Sequence, residues 1–236
     1  DLQLENRTNP NSETNVVKTL PDGVTKVHAP YAYVCQKKDN WYSYDNVYLV
    51  NSTTPIGVTA VKLADGKYAL VSQLQKPFSY VVAYNSFPQV TQVYDITGKL
   101  ISKVNETPLM EVMPKGFAST RPGRRMVSWR ADKGSSLFFV QALDGGDANK
   151  QVEYRDELFT LEHPYTGTPK SLTKVKDRFA GIVWGNDTYA LVSSSWYDTR
   201  NSKTFLLNPS TGSSKLVIDR NSQDVYGHPG NVHRDR

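Results

Sequence analysis

Seven arginines, Arg121, Arg124, Arg125, Arg130, Arg155, Arg178 and Arg200, are the side chains whose type and spacing best suit chemistry on an acidic ligand. A guanidinium can grip a carboxylate through two parallel, charge-assisted hydrogen bonds. A neighbouring acid would consume that capacity, so local sequence sorts the set. Arg130 has Asp132 two positions on, and Arg155 sits among Glu153, Asp156 and Glu157, so both are expected to be structural ties. Arg121, Arg124 and Arg125 flank a Pro-Gly loop with no acidic residue between Glu111 and Asp132, which makes them the candidate substrate-binding residues.

Other chemistry is poorly supplied. A catalytic serine on a sharp strand-to-helix turn needs Gly-x-Ser-x-Gly; Gly134-Ser135-Ser136 and Gly212-Ser213-Ser214 lack the second glycine and read as hairpin turns, so no catalytic residue is assigned. His28, His163, His228 and His233 show no metal-ligand spacing, and His163, in a Glu-His-Pro corner, is expected at the surface. Asp144-Gly-Gly-Asp147 offers two carboxylates where a calcium loop needs five or more oxygens, so it reads as a structural turn with left-handed glycines. The single cysteine, Cys35, excludes a disulfide framework and reads as a small buried strand residue. No metal or cofactor is expected.

The elements that must position these residues are strands. Val58–Val71 reads as two β-rich runs joined by Asp65-Gly66, a strong hairpin signal. Met126–Trp129 with Leu137–Gln141, and Gly181–Trp184 with Tyr189–Val192, give two more pairs. No dozen residues keep an apolar face at helical spacing. Each pair is followed by an apolar strand, a polar or Pro-containing corner and a Thr-Gly or Thr-Thr turn, the turns ending at positions 54, 98, 167 and 212. Two intervals near 45 residues match a four-stranded propeller blade, and the longer third fits a blade with an inserted loop. A β-sandwich would repeat only at 8 to 12 residues. The expected fold is therefore all-β: a partial β-propeller of about four blades, with Trp129 and Trp184 as matching core residues in adjacent sheets.

Lys and Arg number 28 against 23 Asp and Glu, for a net charge of +5. The basic residues are scattered and not interleaved with stacking aromatics, so no nucleic-acid partner is expected. No run reaches the roughly 18 to 20 apolar residues of a membrane span, and the first residues lack the pattern of a signal segment.

From about residue 55 the sequence resembles the β-propeller of the prolyl oligopeptidase family of serine peptidases, in its glutamyl endopeptidase-like branch. The strings that carry the likeness are Lys76-Pro-Phe-Ser-Tyr80 with Phe87-Pro88, Pro114-Lys-Gly-Phe117, Ser128-Trp-Arg-Ala-Asp132, Ala142-Leu-Asp-Gly-Gly-Asp147 and Tyr154-Arg-Asp156. Arg178-Phe-Ala-Gly181 with Trp184-Gly185, Thr199-Arg200, and Asp219-Arg220 with Tyr226-Gly-His-Pro-Gly230 continue it in the family's order. Arg7-Thr-Asn-Pro10 is similar to a string near the family's start, but only 67 residues separate Pro10 from Pro77. The resemblance implies a divergent or partial first blade with an N-terminal extension over 1–54, propeller blades over 55–236, and a C-terminal α/β-hydrolase catalytic domain beyond this chain as its partner. It also implies a peptide substrate for the parent and a propeller that restricts access to the catalytic site, the chain alone being inactive. The compartment is open between cytosol, plastid and periplasm, with bacterial members pointing to an exported enzyme. The alternative is a stand-alone protein-binding propeller with no enzymatic parent.

Overall fold

The computed structural model describes residues 31–38, 41–49, 58–64, 67–77, 79–95 and 99–230. Fourteen strands account for nearly all its regular structure: β1 Tyr31–Lys38, β2 Trp41–Leu49, β3 Val58–Ala64, β4 Tyr68–Leu74, β5 Gln89–Asp95, β6 Leu100–Thr107, β7 Arg124–Trp129, β8 Leu137–Ala142, β9 Asp156–Leu161, β10 Lys170–Val175, β11 Arg178–Asn186, β12 Tyr189–Trp196, β13 Asn201–Leu207 and β14 Ser214–Asn221. One 3-10 turn at Tyr84–Ser86 is the sole helical element among the described residues. The near absence of helix follows from the sequence, whose apolar residues alternate or run in short β-branched and aromatic blocks.

The strands form three four-stranded sheets, each a meander in chain order (β3-β4-β5-β6, β7-β8-β9-β10 and β11-β12-β13-β14), and one two-stranded sheet, β1-β2. All three expected strand pairs are present: β3 with β4, β7 with β8, and β11 with β12. In β3-β4 the pairing runs to Ala64 opposite Tyr68, although Asp65 and Gly66 lie outside the described residues. The recurring strand-corner-turn string is, in the three larger sheets, the passage from third to fourth strand: β5 to β6, β9 to β10, and β13 to β14. The longer interval contains the connection 108–123. The Thr-Thr turn expected to end at residue 54, and with it the expected boundary there, lies outside the described residues, as do Arg7–Pro10, His28 and His233.

Burial differs from strand to strand. Leu137, Phe138, Phe139 and Val140 in β8 are each at most 2% exposed, a continuous apolar run that only a strand covered on both sides can use. In β12 burial alternates, with Ala190, Val192 and Ser194 inward, while β14 is largely exposed, as the last strand of its sheet. Trp129 and Trp184 do each sit on the first strand of a four-stranded sheet. Both, however, are half-buried, so the expectation that they are core residues is corrected: the fully buried side chains include Val93, Leu137, Phe139, Leu158, Val192 and Leu207, and neither indole is among them.

The residues fall into two compact units, one taking in the described residues up to 113 with 124–139 and 160–170, the other 114–123, 140–159 and 171–230. In the first, Tyr165 is an internal post. It is 2% exposed, meets Tyr68, Trp129 and His163 edge-on at 5.7 Å each, and its hydroxyl donates to the Ser135 carbonyl at 2.8 Å. Ser102 donates to the Tyr165 carbonyl. His163 is exposed, as expected from its corner, and caps this aromatic group.

Truncating Phe139→Ala should cost about 3 to 5 kcal/mol, through lost transfer energy and the cavity left behind. Tyr226→Ala, at a fully exposed ring, should stay within about 0.5 kcal/mol of the parent chain. Urea unfolding of the two variants measures the difference.

Candidate functional site

The second unit is organised around a buried carboxylate. Asp144 is 1% exposed and sits at the head of the Asp-Gly-Gly-Asp turn. Gly145 and Gly146 adopt φ of 69° and 86°, the left-handed region expected of them, and this lets the Gly146 N–H fold back onto Asp144 Oδ1 at 2.8 Å. Gly146 is also pressed against the 114–123 loop: Thr120 N–H donates to its carbonyl, and a Cβ there would lie 1.9 Å from the Thr120 oxygen. Only glycine satisfies both demands.

Two arginines converge on Asp144. Arg178, the first residue of β11, donates from Nη2 to Oδ2 at 2.5 Å and from Nη1 to Oδ1 at 3.1 Å. Arg155, just before β9, donates from Nη1 to Oδ2 at 3.1 Å and to the Ala148 carbonyl at 2.9 Å. Arg178 also binds Asp156 Oδ1 at 3.0 Å, and the other oxygen of Asp156 accepts from the Phe179 N–H at 2.6 Å. Two buried cations thus face two buried anions, each with further hydrogen bonds, the condition under which buried ions are tolerated. Burial pushes the Asp144 carboxyl up, but the hydrogen bonds from Arg178, Arg155 and Gly146, with the charge of Arg178, outweigh it and hold it below the usual carboxylate range. The expectation that Arg155 pairs with Glu153, Asp156 or Glu157 is corrected: its partner is Asp144, eleven positions back, because the turn swings that carboxylate inward. Arg130 does take Asp132, bidentately at 3.0 and 2.6 Å.

This network shapes a cavity of about 290 Å³ in the same unit. Arg178 forms part of its wall, and its Nε–H donates to the Ala118 carbonyl at 2.8 Å, anchoring the loop that carries Phe117. The Arg155 guanidinium lies 4.1 Å from the ring centre of Trp196, another wall residue. At the mouth Phe117 and Tyr197 stack at 4.2 Å, and the Arg200 guanidinium covers Tyr197 at 3.7 Å. Two groups so close cannot share one face of the ring, so Phe117, Tyr197 and Arg200 form three layers. In the sequence Arg200 is one of the seven arginines set apart for their carboxylate-binding chemistry, and nothing local separates it from the other six.

The three arginines selected from sequence divide between the units. Arg121, in the second, is half-buried, with a buried Nη2 that has no hydrogen-bond partner among the described residues. Arg124, in the first, donates from Nη1 to the Val104 carbonyl at 2.7 Å and lies 4.5 Å over Phe139, and the Arg124 carbonyl accepts from Asn105 Nδ2. Arg125, half-buried, follows it in β7. Burial lowers the pKa of Arg121 and Arg124 from the usual arginine value, and both keep their charge near neutrality. The two serine strings lie in turns, as expected: Ser136 donates to Glu162 at 2.7 Å, and Gly212 turns with φ of 78° between β13 and β14. Among the described residues no three His, Cys, Asp or Glu side chains cluster to hold a metal, and no helix is long and apolar enough to cross a membrane.

The fold alone, antiparallel and all-β, names no function, and comparison with known proteins makes the class specific. The chain is a homologue of glutamyl endopeptidases. It is 38% identical over 186 residues to the protein of Arabidopsis thaliana named "Probable glutamyl endopeptidase, chloroplastic", and 36% identical over 185 residues to the protein of that name from Oryza sativa subsp. japonica. Each alignment covers 75% of this chain but only 19% and 20% of those relatives, so the chain spans about a fifth of their length. No family model matches. Among solved structures, oligogalacturonate lyase in complex with manganese overlaps 76% of this chain and 50% of its own at 10% identity and a TM-score of 0.46, and an uncharacterized protein of Listeria monocytogenes overlaps 81% and 52% at 14% identity and 0.38.

Replacing Arg178 by Met should destabilise the chain by about 3 to 5 kcal/mol, since Asp144 and Asp156 would remain buried without their main counter-charge. Because the native Asp144 pKa is lowered, its contribution is complete above the unfolded value near 4 and declines as pH falls towards and through the native one. Urea midpoints from pH 7 down to pH 2 should therefore fall less steeply in Asp144→Asn, already weakened at pH 7, than in the parent chain.

Proposed function

We propose that this chain is part of the non-catalytic β-propeller of a prolyl oligopeptidase-like serine peptidase, restricting which peptides reach a catalytic domain elsewhere in the longer protein. The observation that carries this reading is 38% identity to a glutamyl endopeptidase over a stretch amounting to a fifth of that protein. Three successive four-stranded meanders, as a propeller would provide, and a sequence without a nucleophile elbow favour it further. In this role the chain contributes walls rather than reacting groups: it limits substrate size and keeps bulk water from the reaction. The partners are the C-terminal α/β-hydrolase domain and the peptide substrate.

Within that reading, Arg121, Arg124 and Arg125 are the residues proposed to meet acidic peptides. Arg121 is favoured of the three, because Arg124 spends part of its donor capacity on Val104 and its face on Phe139.

Two measurements test the proposal. The chain alone should take up no fluorophosphonate probe, and stoichiometric labelling of one serine would overturn the non-catalytic assignment. In the longer protein, Arg121→Ala should lower kcat/KM for a Glu-containing peptide by about 1.5 to 3 kcal/mol of transition-state stabilisation while sparing its Gln counterpart. An equal loss on both peptides would reduce Arg121 to a structural tie.

A further inference from the structure

We infer that another cavity of the second unit, of about 430 Å³ and bounded by β10 and one face of β12, β13 and β14, binds a phosphate monoester carried on an aromatic body. The inference rests on this cavity's own residues and is independent of the peptidase reading.

Strand alternation builds the site. Lys203, Phe205 and Leu207 are alternate residues of β13 and therefore share a face. Val192 of β12 stands opposite Phe205, and Ser214 of β14 opposite Leu207, on that same face. The remaining wall comes from β10, through Thr173 and Val175, and from Tyr154 ahead of β9. Val192 and Leu207 are fully buried, so the depth of the cavity is apolar, whereas Lys174 and Lys176 are exposed at its rim.

Charge accounting gives the sign and size of the ligand's charge. The wall holds three lysines and no acidic residue. Lys203 is paired with Asp177 at 3.0 Å. The Lys174 ammonium makes no hydrogen bond or ion pair among the described residues, and Lys176 stands 6.0 Å from the ring centre of Tyr154, the outer limit of a cation–π contact. Exposed Glu153, beside Tyr154 in sequence, pairs with neither of them. Two positive charges are left uncompensated, which matches the charge of about −1.5 to −2 that a phosphate monoester carries near neutrality.

Side-chain chemistry chooses among anions. A lysine ammonium is a compact point charge with rotatable donors, suited to a tetrahedral group with oxygens on every side. A planar carboxylate is gripped best by a guanidinium fork, and no arginine lines this cavity. Thr173 and Ser214 add hydroxyls that make no hydrogen bond among the described residues. The half-buried rings of Tyr154 and Phe205, with the aliphatic side chains between strands, provide for a flat hydrocarbon body.

Titrating the whole 236-residue chain by calorimetry with phenyl phosphate, phenyl sulfate and inorganic phosphate tests this. Phenyl phosphate should bind at least about tenfold tighter than phenyl sulfate, a monoanion of similar shape, and than inorganic phosphate, which lacks the ring. Its affinity should fall as pH drops below about 6, where the dianion takes up a proton. Replacing both rim lysines, Lys174→Gln with Lys176→Gln, should weaken binding at least about tenfold and leave thermal unfolding unchanged. Amine acetylation read by mass spectrometry gives the location: phenyl phosphate should shield Lys176 and not Lys115, which is exposed in the 114–123 loop. AMP and acetyl-phosphotyrosine-amide separate the two sources of such a group, a nucleotide and a phosphorylated side chain, by which of them binds tighter. Equal affinity for phenyl phosphate and phenyl sulfate would overturn the proposal. So would equal affinity for inorganic phosphate, undiminished binding to the double-lysine variant, or no shielding of Lys176.

Discussion

Asp144 is removed from water almost completely and yet stays ionised, held below the ordinary carboxylate range by two guanidinium groups and a backbone N–H that its own turn brings round. Much of the second unit hangs from that arrangement. Arg178 enters it from the start of β11, Arg155 from the approach to β9, and the 114–123 loop is joined twice, through Ala118 to Arg178 and through Thr120 to Gly146. A buried ion pair of this kind is weak evidence for net stability, because desolvation consumes most of the Coulomb gain. Its value lies in specificity: a misplaced loop or slipped strand would strand a charge in the interior, so the network admits one arrangement of its segments.

That constraint leads directly to the cavity. Part of its wall is made of residues that the network anchors or stacks upon: Ala118 and Phe117 through the loop, Trp196 through the Arg155 guanidinium, and Arg178 itself. The same chemistry serves opposite ends there. Arg178 and Arg155 commit donors to carboxylates and carbonyls and act as structure, while Arg200 stacks on an aromatic face. Position in the chain does not separate these roles.

In the first unit the equivalent organising residue is Tyr165, which reaches a buried position from an exposed Glu-His-Pro corner and gathers Tyr68, Trp129 and His163 around its ring. A corner that reads as surface thus supplies a core side chain. The contrast with Trp129 and Trp184, which repeat in sequence but remain half-buried, shows that aromatic recurrence marks equivalent places in the strands and not depth.

The all-β character, the three strand pairs and the recurring third-to-fourth-strand turn are legible in the sequence because they depend on local periodicity and turn chemistry, which neighbouring residues settle among themselves. The Arg130 tie to Asp132, two positions away, and the left-handed glycines after Asp144 are legible for the same reason, and the likeness to glutamyl endopeptidases rests on the order of short strings. Pairing across distance is a different matter. Asp144 lies eleven positions from Arg155 and thirty-four from Arg178, and only the turn of the chain and the packing of strands decide that these carboxylate and guanidinium groups meet while Glu153 and Glu157, closer in sequence to Arg155, stay outside. Which arginine is spent and which is left with open donors is fixed by who shares its low-dielectric neighbourhood, and that is a property of the tertiary structure alone.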